Sequence, residues 1–98
     1  MNNNETEAKI IDNYKQDEQM MILIFAQWCV NHDLDPAQMY MKAYPNQLTN
    51  YSLTQAIELT VPKDEAGDIA DDTLLGVLSL FGNEDLAQIV IEQIANRN

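Results

Sequence analysis

Apolar residues recur along this chain at three- and four-residue spacing, the period of a helix, and nowhere in sustained alternation. Ile10, Ile11 and Tyr14 begin a stripe that continues through Met21, Phe25 and Trp28. Asp17 and Glu18 interrupt it, which predicts one long helix with a more exposed first half, ending between Asn31 and Leu34. In "LDPAQ", Asp35 can accept hydrogen bonds from the free amides of a new helix. Pro36 fits the first helical position, where its missing N–H costs nothing. Met39, Tyr40 and Ala43 form the second stripe, and Pro45 stops it.

A third helix follows "PNQLTN". Ser52 and Gln55 have capping-box spacing, Leu53, Ala56 and Ile57 share a face, and Pro62 ends the run. "KDEAGD" reads as a solvated connection, with Asp68 or Asp71 capping a fourth helix through Ile69, Leu74, Val77, Leu78 and Phe81. Gly76 and Ser79 suggest a close approach between helices. In "FGNEDL", Gly82 can take the left-handed conformation that ends a helix, and Asn83 can cap the next. Glu84 and Asp85 suit the positive end of the helix dipole. The last helix carries Leu86, Ile89, Val90 and Ile94. β-Branched content gathers at Ile57 to Val61, without an Asn-Gly or Asp-Gly turn. The expected fold is all-α, a compact bundle of about five helices with short loops. Residues 1–8 read as a flexible polar tail and residues 9–98 as one helical domain.

The densest apolar run is "MMILIFAQWCV", Met20 to Val30. As a helix it spans about 16 Å at 1.5 Å per residue, against about 30 Å for a bilayer core, so a membrane span is excluded. Gln27 and Asn31, four apart, mark one face; helical steps back from it reach Met20, Leu23 and Ile24. That side should be the least buried, yet it is apolar. Either other helices of the chain surround it or a second copy does, and Met20, Leu23, Ile24 and Gln27 are the candidate self-association residues.

Charge narrows the partners. Sixteen acids stand against five bases, a formal charge of −11, and the excess is larger in the second half. Such a field disfavours direct nucleic-acid binding and anionic membranes, which need Lys and Arg, and suits a basic protein surface or simple solubility. "DEAGDIADD" concentrates it: Asp64, Glu65, Asp68, Asp71 and Asp72 are the candidate partner-binding residues. A calcium loop starting at Asp64 would need Gly where Ile69 stands, so that motif fails. A helix-turn-helix reading of residues 74–90 fails on sign, since Glu84, Asp85 and Glu92 occupy the would-be DNA helix.

Candidate chemistry is sparse. Cys29 and His32 are the sole cysteine and histidine, three apart, with Asp33 and Asp35 close behind. A thiol nucleophile needs a base and an orienting group, and zinc needs three or four ligands, so this cluster is thin for either. The opposing reading is a small buried cysteine and a histidine at a helix C-terminus. One cysteine excludes an intrachain disulfide, and the chain start lacks the pattern of a signal peptide, so a cytoplasmic location is expected. No cofactor or metal is expected. The leading expectation is a non-enzymatic helical protein that binds another protein as regulator, adaptor or inhibitor. The alternatives are a metal-dependent or thiol enzyme using Cys29 and His32, and a nucleic-acid mimic.

Overall fold

A computed structural model describes residues 3–46 and 50–97, with side chains from Asp17 onward. Five helices follow one another there: α1 (Asn3–Asn31), α2 (Pro36–Ala43), α3 (Tyr51–Leu59), α4 (Asp71–Leu80) and α5 (Glu84–Ala95). With no strand among the described residues, the all-α bundle expected from periodicity is what the chain forms. At 1.5 Å per residue, α1 is about 44 Å long. The molecule measures 56 × 31 × 25 Å, so α1 must lie near its long axis. Its backbone continues back to Asn3, through most of the stretch expected as a tail, where Glu, Ala and Lys are good helix formers. Met1, Asn2 and the side chains of Ile10, Ile11 and Tyr14 lie outside the described residues.

The core is organised by α1, which supplies six of the thirteen buried apolar residues among the described ones: Met21, Ile22, Phe25, Ala26, Trp28 and Cys29. Around it pack Met39 of α2, Leu53 and Ala56 of α3, Leu74 and Leu78 of α4, and Leu86 and Val90 of α5. Burying one such Leu or Phe side chain is worth roughly 1.5–3 kcal/mol before chain entropy is charged against it. The run from Met20 to Val30 is therefore the central element of the fold on most of its circumference.

Helix ends follow local chemistry. Asp35 accepts from the amides of Ala37 and Gln38 at 2.9 and 3.4 Å, with Pro36 opening α2. α1 and α4 close alike. Leu34 N–H donates to Cys29 O at 2.8 Å with Asp33 at φ 60°, and Asn83 N–H donates to Leu78 O at 2.9 Å with Gly82 at φ 71°. Asp33 thus takes the role of glycine, and Lys63 holds its carboxylate at 2.9 Å.

Four local expectations are corrected. The cap of α3 is Asn50, not Ser52: its Oδ1 accepts from Leu53 N–H while its Nδ2 donates to the Tyr40 hydroxyl at 2.7 Å. That second bond anchors Asn50 on α2, an advantage no serine in the helix has. Neither Asp68 nor Asp71 caps α4. Ala70 holds that position without a side-chain bond, Ile69 lies outside the helix, and Asp71 turns inward. Asn83 sits at the cap position of α5 but spends its side chain elsewhere, accepting from the Tyr44 hydroxyl at 2.9 Å and donating to Met21 Sδ at 3.0 Å. Gly76 faces open space and Ser79 is exposed, so the small residues of α4 mark no close helix contact.

Candidate interaction surface

The Cys29–His32 pair separates on folding. Cys29 is fully buried, and burial, with the Asp35 charge behind it, pushes its thiol up to about 12. His32 lies on the rim, its ring tilted against Trp28 at 4.7 Å between centroids. It borders a polar cavity of about 350 Å³ between the ends of α1 and α5, with Asp33, Gln93, Asn96 and Arg97, and Cys29 is not in the lining. The thiol and imidazole thus open on different surroundings. Among the described residues, no group of three His, Cys, Asp or Glu side chains is placed to hold a metal ion.

Asp71 is drawn out of the acidic segment. Its Oδ1 accepts from the indole Nε1–H of Trp28 at 2.9 Å, and both carboxylate oxygens accept from Arg97, at 3.0 and 3.3 Å. The Arg97 guanidinium also lies 5.8 Å from the Trp28 ring centroid, within cation–π range. His32 Nε2 stands 4.0 Å from Asp71, too far for a hydrogen bond. Arg97, more than the bonded indole or the His32 charge, holds the Asp71 carboxyl below its ordinary value against the desolvation that opposes it. Arg97 gave no hint of this from its place near the chain end. Asp64, Glu65, Asp68 and Asp72 remain exposed. The five acids expected to act together are therefore four surface charges and one structural carboxylate.

Gln27 is likewise occupied within the chain. Its Nε2 donates to Val61 O at 2.9 Å, and its Oε1 accepts from Val61 N–H at 3.0 Å. Its Nε2 also donates to Asn31 Oδ1, while Asn31 Nδ2 donates to Gly67 O. The two polar residues that broke the apolar run hold the connection between α3 and α4 against α1. Val61 and Gly67 offer backbone groups, which no side-chain pattern advertises.

Met20 and Leu23 line a groove. With Gln19 they form one wall; Ser52, Gln55, Ala56 and Leu59 of α3 form the other, enclosing about 350 Å³. Met20 and Leu59 are 56% and 67% exposed, high for large apolar side chains facing a concavity. Leu23 is partly buried against the core, as is Ile24, which is not in the groove lining. The α3 wall was missed, although 52, 55, 56 and 59 stand at the helical spacing of a single ridge. Its mixed polarity hid it. The described side chains of the two walls' helices include Asp17, Glu18 and Glu58 and no Lys or Arg. Asp17 precedes Met20 by three residues and Glu58 follows Gln55 by three, so each stands on a ridge beside the groove. Among the described residues, no helix is long and apolar enough to cross a membrane.

Comparison with known proteins adds a lineage. The YxiS family model matches residues 2–95. Over 92 residues the chain is 54% identical to "Uncharacterized protein YxiS" of Bacillus subtilis (strain 168), a match covering 93% of this chain and 96% of that protein. No solved structure matches. The chain belongs to the YxiS family.

Proposed function

We propose that this member of the YxiS family acts by binding another protein, without covalent chemistry of its own, through the groove between α1 and α3. One observation carries the reading: Met20 and Leu59 stay more than half exposed beside a concave apolar floor, while thirteen other apolar residues among the described ones are well buried. Apolar surface left uncovered beside a concavity is the usual mark of a site covered by something else. The enzyme alternative has less support, because the Cys29 thiol is buried and faces no cavity shared with His32. A cytoplasmic location goes with this reading, since a lone buried cysteine needs no oxidising compartment.

The test is capture from the native organism with the full chain as bait, compared with Leu59→Ser and Met20→Ser. Both residues are exposed, so the substitutions should leave the fold intact. Leu80→Ser serves as control, since Leu80 is 81% exposed on α4 and lies outside the groove lining. A protein retained by the wild type and by the Leu80 variant but lost from the two groove variants supports the reading. Equal retention by all four chains, or by none, removes the groove as the working surface.

A further inference from the structure

We propose that the occupant of the α1/α3 groove is a basic amphipathic helix of the partner, an inference that rests on the protein-binding reading above. Both walls are helices, and a third helix laid between two others is the packing by which helical ridges fill such a groove. From Ser52 to Leu59 the α3 wall extends about 10 Å, the length of two helical turns. An apolar stripe at i, i+3 or i+4, and i+7 would match it. Met20 is suited to the task because an unbranched thioether repacks around different side chains at little cost.

The charges select the polar face of that helix. Asp17 and Glu58 are exposed on the ridges beside the groove, unanswered by any base among the described side chains of α1 and α3. Lys or Arg flanking the apolar stripe could lay their methylene stems over Met20 and Leu59 and carry their charges to these carboxylates. A second copy of the chain is the poorer occupant. A two-fold contact through this groove would set the flanking acids Asp17 and Glu58 of one copy against those of the other, between two chains of −11 each.

The experiment uses the full chain and a fluorescent helical peptide of about 14 residues, with Leu on one stripe and Lys elsewhere, read by anisotropy. One comparison peptide keeps the Leu stripe and replaces Lys with Glu; another scrambles the basic composition so that no stripe remains. The basic amphipathic peptide should bind at least about tenfold more tightly than either, a difference of about 1.4 kcal/mol. Leu59→Ser and Met20→Ser should weaken it, and Asp17→Asn with Glu58→Gln should weaken it and flatten its salt dependence. Equal binding of the three peptides, or indifference to Leu59→Ser, overturns the proposal. So does a dimer in sedimentation of the chain alone that Leu59→Ser dissociates, which would give the groove to a second copy. If the basic peptide fails while Leu59-dependent capture of a natural partner persists, the basic-helix inference falls by itself. If that capture also ignores Leu59→Ser, the protein-binding reading falls with it.

Discussion

Trp28 donates its indole Nε1–H to Oδ1 of Asp71 across 2.9 Å, joining the centre of α1 to the first residue of α4. The ring is fully buried, so the indole N–H has no water to turn to. Arg97 completes the arrangement from the far end of the chain by gripping the same carboxylate. Asp71→Ala should therefore cost about 1–3 kcal/mol, the usual penalty for stranding a buried donor. Urea unfolding monitored by tryptophan fluorescence measures it. A loss within the scatter of ordinary surface substitutions would mean that the bond contributes nothing.

The same carboxylate gives stability an acid limit. Arg97 lowers its folded pKa below the ordinary 3.8, so its contribution is complete above that value and is lost as pH falls through the folded one. Asp71→Asn keeps an acceptor for Trp28 but has no charge for Arg97. It should be less stable than wild type at neutral pH, and the gap in urea midpoint should narrow as pH falls below 3.8 and through the lowered folded value. A gap that stays constant with pH would show that the charge of Asp71 is immaterial.

Much of this architecture was legible because periodicity and punctuation agree. The Asp35–Pro36 start of α2 and the left-handed Gly82 act through their own backbone neighbours, so short sequence windows contain the cause. What escaped the sequence depends on distant partners. Asp71 looked like one more surface acid until Trp28, 43 residues away, supplied a buried donor. Asn83 looked like a cap until the Tyr44 hydroxyl and Met21 sulfur claimed its side chain. The sequence marks Met20 and Leu23 as an apolar face but not as part of a groove, because Ser52 and Gln55 interrupt the apolar positions of the α3 wall.

Gln27 grips both backbone groups of Val61, which makes it a local fastener for the segment after α3. Gln27→Ala should destabilise the protein by about 0.5–1.5 kcal/mol and raise the exchange rate of the Val61 amide well above that of Leu53, which Asn50 holds. Amide exchange followed by nuclear magnetic resonance distinguishes the two sites. Unchanged protection at Val61 would show that the segment is held by something other than Gln27.

Cys29 should be chemically silent in the folded protein. With its pKa pushed up to about 12, the thiolate fraction at pH 8 is roughly one part in ten thousand, and the buried sulfur is out of reach of reagents. Labelling by an aromatic disulfide should be slow in buffer, accelerate as urea opens the fold, and be indifferent to His32→Ala. Fast labelling of the native chain that drops with His32→Ala would revive the thiol-enzyme alternative.

The four acids left on the surface carry the remaining electrostatic prediction. Asp64, Glu65, Asp68 and Asp72 are exposed between α3 and α4 or at the start of α4, where no buried bond depends on them among the described contacts. If they steer a basic partner, their pull reaches about one Debye length, about 8 Å at physiological salt. Association should slow as salt rises while dissociation changes little, because charges at the rim of a contact act mainly on encounter. Replacing the four by Asn or Gln should mimic high salt and leave thermal stability nearly unchanged. Asp71→Asn is the contrasting control: its carboxylate is already neutralised by Arg97, so it should lower stability while sparing the association rate. Stopped-flow association with the captured partner, repeated across salt concentrations, provides the measurement. An association rate untouched by the fourfold variant would leave these acids as a device for solubility.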